Sequence, residues 1–339
     1  MKRVIWASIL LAMAAIIMPL MFLRENVNGE DLLEELSPSG QAESNSPEPS
    51  ETSAKQHYER IPDKDIKFSV SENGEAREVT MADYLPYALA AEMPANFSEE
   101  ALKAQAVAAR TYILYCTLHE NPKHPQADIC TEAGCCLAYA DESKLRGSWG
   151  KNFDSNIEII RKAVTETDGQ VMVYDELPIL ASFHSSSAGK TESGSELWGN
   201  VPYLVSVNSP ETEKDVPNFV TTVEVSIDNF RETVLSYKTD AVFSENAAEW
   251  VKDTELDESG RVRSIIIGGV KLSGSEMRKL FSLRSTAFML EFKDNIFLFT
   301  VTGYGHGLGM SQYGANVMAK NGFNYQEILE HYYPQTKLC

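Results

Sequence analysis

Hydrophobic and polar positions divide the chain into three stretches of different character. Residues 4–23 form an uncharged, mainly apolar run; residues 25–60 lose all apolar periodicity; from residue 61 onward short alternating segments and helical repeats take turns. In the third stretch residues 65–70 alternate as a strand does. Thr80 with Asp83 predicts an N-cap for a helix over residues 81–91, in which Pro86 marks a kink or a later start. Ser98, followed by Glu99 and Glu100, opens a second helix through about residue 118, and Ala101, Ala104, Ala108 and Ala109 on it permit close packing against a neighbour. Periodicity then fails over residues 119–151, an irregular insertion of a length usually reserved for functional or stapled segments. A helix over 156–165 follows, then a hairpin in which 170–174 and 179–183 pair around 175–178. Residues 219–272 mix acidic helical and β-rich pieces and form a candidate second lobe. Ser273 with Glu276 is a capping box. Two paired strands, "AFMLEF" and "NIFLFTVTGYG", turn near 293–295, and a last helix covers 325–332. With no internal repeat and mostly hairpin connections, the fold class is α+β, mixed helices with antiparallel-rich sheets.

The first two stretches decide the compartment. Residues 4–23 are about the 20 apolar residues needed to span a hydrocarbon core. Lys2 and Arg3 would stay inside, sending the remaining chain across. Residues 1–24 therefore read as a transmembrane signal anchor; a cleaved signal peptide ending near Ala12-Met13-Ala14 is the rival, but the apolar run continues well past it. Residues 25–60 carry nine acidic and two basic residues among Ser and Pro. Such a segment buries too little apolar surface to offset its ordering entropy, so it reads as a flexible acidic linker. Residues 61–339 remain as the folded domain. The net charge of -19 and pI near 4.8 set nucleic acid aside, because phosphate binding needs clustered Lys and Arg.

Four segments carry candidate chemistry. Glu92 lies among Leu89, Ala90, Ala91 and Met93 ahead of Pro94, and burial there would raise its pKa as a general acid requires. Gln105 and Arg110 follow on the next helix, which a short turn brings back alongside. The alternative is an ordinary helix-end carboxylate facing water. His124, Cys130 and Cys136 are evenly spaced in the irregular insertion, the way a structural zinc replaces a core. Outside the cytoplasm disulfides compete for the same thiols, and five cysteines leave at least one unpaired. In "FHSSSAGKT", His184 and Ser185 offer polar contacts to a ligand, against a merely solvated turn; a Ser/His nucleophile is weak here because strand neighbours point to opposite faces. In "GYGHGLGMSQYGA" five glycines surround Tyr304, His306, Gln312 and Tyr313. Their alternation misses the dinucleotide pattern, and their density marks close backbone approach by ligand or neighbouring chain. A zinc hydrolase using His124 with His184 or His306 is a further alternative.

Taken together, "AAEMP…ALKAQAVAARTY", "H…C…C", "FHSSSAGKT" and "GYGHGLGMSQYGA" resemble the stage II sporulation protein D family of membrane-anchored lytic transglycosylases. The resemblance spans roughly residues 68–333. It implies cleavage of peptidoglycan glycan strands between N-acetylmuramic acid and N-acetylglucosamine in a cleft between two lobes, with Glu92 as catalytic acid. Zinc on His124, Cys130 and Cys136 would be structural, with Cys135 competing for the last place. Gln105, Arg110, His184, Ser185, Tyr304, His306 and Gln312 are the residues expected to hold sugar. The resemblance also implies an extracytoplasmic domain on a single-pass anchor, acting at engulfment with an amidase of the stage II sporulation protein P type and a membrane scaffold of the M type. A non-catalytic peptidoglycan-binding scaffold is the alternative from another class.

Overall fold

The computed structural model of the chain describes residues 58–194 and 201–339. The expected anchor and nearly all of the acidic linker lie outside these residues. Among the described residues no helix is long and apolar enough to cross a membrane.

Strands β1 (Lys67–Glu72) and β2 (Glu75–Thr80) form a hairpin around Asn73 and Gly74, both at positive φ as a two-residue turn demands. Thr80 then caps helix α1 (Met81–Glu92) by accepting from the Asp83 N–H. Pro94 ends that helix: the residue before a proline is pushed out of the helical region, and Met93 sits at φ -129, ψ 141. Glu92 is therefore the last helical residue by local sterics. Helix α2 (Glu99–Thr117) runs back through the centre of the first hydrophobic core. Its Ala101, Ala104, Ala106, Ala108 and Ala109 are fully buried, and their small side chains let four other helices approach its axis. Ser98 caps α2 with its backbone carbonyl, not its hydroxyl.

The expected irregular insertion holds more structure than its sequence pattern suggests. Strand β3 (Ile129–Cys130) adds parallel to β1, and helix α3 (Glu142–Trp149) is capped by Asp141. Helix α4 (Phe153–Glu166) follows. The next hairpin is shorter than expected: β4 (Met172–Tyr174) pairs with β5 (Leu177–Pro178) around Asp175 and Glu176, at φ 48 and 68. Residues 179–182 leave it, and β6 (Phe183–His184) pairs elsewhere.

A second hydrophobic cluster is built from β7 (Val220–Ser226), α5 (Ile227–Tyr237), β8 (Val251–Leu256), β9 (Val262–Ile267), β10 (Val270–Ser273), α6 (Gly274–Leu280), β11 (Phe288–Lys293) and β12 (Ile296–Thr302). Two antiparallel sheets, ordered β10-β9-β8 and β11-β12-β7, enclose Phe230, Trp250, Phe297 and Phe299. Phe230 stacks on Phe297 with ring centroids 3.8 Å apart. This cluster continues past residue 272 to residue 302, because the strands at 288–302 close the sheet that β7 starts.

The chain then returns to the first core through the glycine-rich segment. It forms β13 (Met310–Ser311), parallel to β6, then α7 (Gln312–Lys320), α8 (Tyr325–Tyr332) and β14 (Lys337–Leu338), which pairs with β4. The helix α7 inside the glycine motif has no counterpart among the elements expected from sequence. Ser311 caps it through the Gly314 N–H.

Candidate functional site

The glycine segment is the return crossing between the two clusters, and its backbone is zipped to the turn after β6. Ser186 and Tyr304 exchange both backbone hydrogen bonds, Glu192 donates to the Gly307 carbonyl, and Met310 donates to the Ser182 carbonyl. So close an approach explains the glycines. A Cβ at Gly309, which lies at φ +63, would run into the Ser182 carbonyl oxygen.

Three chain segments meet at Glu92. Its Oε1 accepts from the Ala138 backbone N–H at 2.7 Å, and its Oε2 lies 3.5 Å from the Gln312 Nε2 donor. Burial pushes the carboxyl up from 4.5 to about 7, while the two donors, which favour the carboxylate, hold the rise back. No charged group among the described residues figures in that shift. Glu92 can thus be protonated near neutrality and still have two donors ready for its anion. Phe97 and Tyr313 meet edge to face at 5.0 Å, Tyr313 following Gln312 in the chain, and Tyr304 lies beneath the Arg284 guanidinium at 4.4 Å.

Ala138 is held by the segment that carries the cysteines. His124, Cys130, Cys135 and Cys136 place one ligand atom each within 4.8 Å of one another, a group that could hold a metal ion. His124 Nδ1 donates to the Ala127 carbonyl at 2.9 Å, which leaves the Nε2 lone pair facing the thiols, 3.2 Å from Cys136 Sγ. Cys135 and Cys136 both belong to the group, although the sequence spacing favoured Cys136 alone. Three thiols and one imidazole are a complete tetrahedral set, so the donors fit a closed site that leaves no position for substrate. All five cysteines are free thiols.

The other expected sugar contacts divide. Gln312 reaches Glu92, and Tyr304 and His306 are half-buried on the glycine segment. Ser185 is half-buried, and its carbonyl accepts from the Tyr313 N–H. Arg110 is a correction: it is fully buried, forked onto both Asp63 oxygens at 2.6 and 2.8 Å and onto the Gln170 and Val164 carbonyls. It fastens the start of the folded domain to α2 and has no face for a sugar. Gln105 is also fully buried in the first core, with neither amide atom hydrogen-bonded.

His184 is buried as well. Its Nδ1 must donate to the Leu308 carbonyl, so its Nε2 accepts from the Ser187 hydroxyl at 2.6 Å. Ser187 itself is inaccessible and its N–H donates to buried Glu211, so the pair fastens the turn and offers no nucleophile. Burial and then the neighbouring His306 hold His184 well below the usual imidazole range, and burial with Arg278 and Arg261 lowers His306 to about 3. Neither belongs to the His124 group, which removes the zinc-hydrolase alternative built on them. Sequence reasoning missed the Ala138 N–H, because a backbone donor leaves no trace in side-chain identity.

A family model described as stage II sporulation protein matches residues 70–174, which include Glu92 and the whole His/Cys group. The chain is 34% identical to stage II sporulation protein D of Bacillus amyloliquefaciens over 263 residues, covering 77% of this chain and 74% of the relative. It is equally 34% identical to stage II sporulation protein D of Bacillus subtilis, over 78% of this chain and 76% of that protein. An amidase enhancer of Bacillus subtilis is 28% identical over 73% of this chain but only 39% of its own length. With identity at that level across three quarters of each sporulation protein, the chain belongs to the stage II sporulation protein D family.

Proposed function

We propose that the chain is a lytic transglycosylase that cleaves the bond between N-acetylmuramic acid and N-acetylglucosamine in peptidoglycan. The observation that carries this reading is Glu92: one carboxyl, raised to about 7 by burial, with two donors poised on its oxygens and no charged partner among the described residues. As the acid, Glu92 gives its proton to the glycosidic oxygen leaving C1 of the muramoyl unit. As the carboxylate, held by Ala138 and Gln312, it takes the proton from the muramoyl C6 hydroxyl while that oxygen bonds to C1. A 1,6-anhydro ring closes, Glu92 regains its proton, and no water is consumed. A hydrolase would instead need a second carboxylate about 5–10 Å away as nucleophile or base.

Zinc is the metal this donor set suits, and its part is structural: it holds the segment that presents the Ala138 N–H. The setting we propose is septal and engulfment-stage peptidoglycan during sporulation. The domain lies on the wall side of a single-pass anchor, acting on strands that a stage II sporulation protein P-type amidase has stripped and held by an M-type membrane scaffold. Likeness to an amidase enhancer supports a second reading, a non-catalytic glycan-binding scaffold for such an amidase. Mass spectrometry of peptide-stripped strands incubated with the purified chain separates the readings. Anhydro-muramoyl ends that disappear with Glu92→Gln support the transglycosylase; reducing ends refute it, and intact but bound strands favour the scaffold.

A further inference from the structure

Asp63 and Glu192, both buried, face arginines: Asp63 meets Arg110 and Glu192 meets Arg261. Glu211 is different. It is 3% exposed, makes no ion pair with a described residue, and is met by three uncharged donors instead. Its Oε1 accepts from the Ser187 N–H at 2.6 Å and from the Ser311 hydroxyl at 2.5 Å, and its Oε2 accepts from the Ser209 hydroxyl at 2.6 Å. Ser209 has one proton to give, so the Tyr332 hydroxyl, 2.8 Å away, donates to it. One buried carboxyl thus ties together the turn after β6, the start of α7 and the end of α8.

The Ser311 hydroxyl links this group to Glu92. Its proton goes to Glu211 while its oxygen accepts from the Gly314 N–H at 3.1 Å, which makes Ser311 the N-cap of α7. The residue after the cap is Gln312, whose Nε2 lies 3.5 Å from Glu92 Oε2. Glycine is a costly residue inside a helix, yet a Cβ at Gly314 would run into the Tyr332 hydroxyl, Ser209 Oγ and Glu211 Oε2. The first turn of α7 is therefore seated directly on the Glu211 carboxyl. Resting on the proposed catalytic role of Glu92, we propose that Glu211 is a positioning residue: through Ser311 it fixes the first turn of α7 and so holds the Gln312 amide against the Glu92 carboxyl. Buried Glu211 has no face for a substrate and acts through the helix start alone.

The test reads the Glu92 pKa directly, from the 13C NMR signal of its carboxyl carbon in the full chain, assigned with Glu92→Gln. The Gln312 donor is one of the two that hold this pKa down, so Gln312→Ala should raise it from about 7 by about 0.5 to 1 pH unit. Glu211→Ala and Ser311→Ala should each reproduce most of that rise. Added to Gln312→Ala, neither should raise it further, because the contact they secure is already gone. Glu211→Gln keeps an acceptor for Ser187 and Ser311 and should give a smaller rise. A merely structural role would lower the unfolding midpoint without moving Glu92. An unmoved pKa in Glu211→Ala or in Ser311→Ala therefore overturns the inference, and Ser311→Ala decides the matter should Glu211→Ala fail to fold. An unmoved pKa in Gln312→Ala overturns it too, since there is then no donor to position, as does a rise that adds in full to that of Gln312→Ala, which would reach Glu92 by another route. None of these readouts needs turnover. Should the pKa values move as expected in a chain that makes no anhydro ends, the transglycosylase reading fails and the positioning role stands; anhydro-end formation whose alkaline limb rises with the Glu92 pKa supports both.

Discussion

Replacing Glu92 by Gln should stabilise the protein while destroying its proposed activity, and the gain should depend on pH in a way that only a raised carboxyl pKa produces. An ordinary glutamate loses its proton near 4.5, but burial delays this in the folded chain to about 7. Below 4.5 both states are protonated and the residue costs nothing. As pH rises from 4.5 to 7, the unfolded chain ionises and the folded chain does not, so stability is lost across that window and the loss is complete above 7. At about 1.36 kcal/mol per pH unit, the cost is about 1 kcal/mol at pH 5.5 and about 3 kcal/mol at pH 8. Gln keeps the shape and can still accept from the Ala138 N–H, but it never ionises. Urea unfolding of the parent and Glu92→Gln at pH 5.5 and pH 8 measures the difference. A variant more stable by about 1 and about 3 kcal/mol respectively supports a half-buried acid kept for function at the expense of stability. A difference that does not change with pH, or a variant less stable at pH 8, would refute the reasoning, because Glu92 would then be an ordinary ionised carboxylate.

Three further outcomes test the surrounding structure. Cys130→Ser, or a chelator, should release the proposed metal and slow anhydro-end formation by on the order of a hundredfold, since a displacement of about 1 Å at the Ala138 donor is enough for that; metal analysis beside product analysis checks it, and full activity in metal-free protein would contradict it. Asp63→Asn strands a fully buried guanidinium and should cost about 3 kcal/mol in urea unfolding, with no preferential loss of activity in the protein that stays folded. Gly309→Ala, forced into a left-handed backbone against the Ser182 carbonyl, should cost about 2 kcal/mol and loosen the contact between the β6 turn and the glycine segment, seen as faster amide exchange at Met310.

What the sequence determined by itself is local. The Thr80 cap, the proline that stops α1 after Glu92, the Ser273–Glu276 capping box and the helix at Tyr325–Tyr332 each depend on groups within a few residues of one another, so their chemistry is written in the order of residues. The glycine density correctly marked a close backbone approach, because positive φ and a missing Cβ are properties of the residue itself. Tertiary structure decided which of those residues face one another. It took Arg110 into the core, since a guanidinium and an Asp63 that are 47 positions apart give no sign in sequence that they will pair. It brought Gln312 across 220 positions to Glu92, set Cys135 beside His124, Cys130 and Cys136, and raised the Glu92 pKa through burial that the apolar residues around it only hinted at. It also placed a backbone N–H, which every residue but proline possesses, so that the one at Ala138 meets the carboxyl. Side-chain identity fixes what a group can do; the packing of distant segments fixes its solvent and its partners, and at this site those are what raise the pKa of a carboxyl.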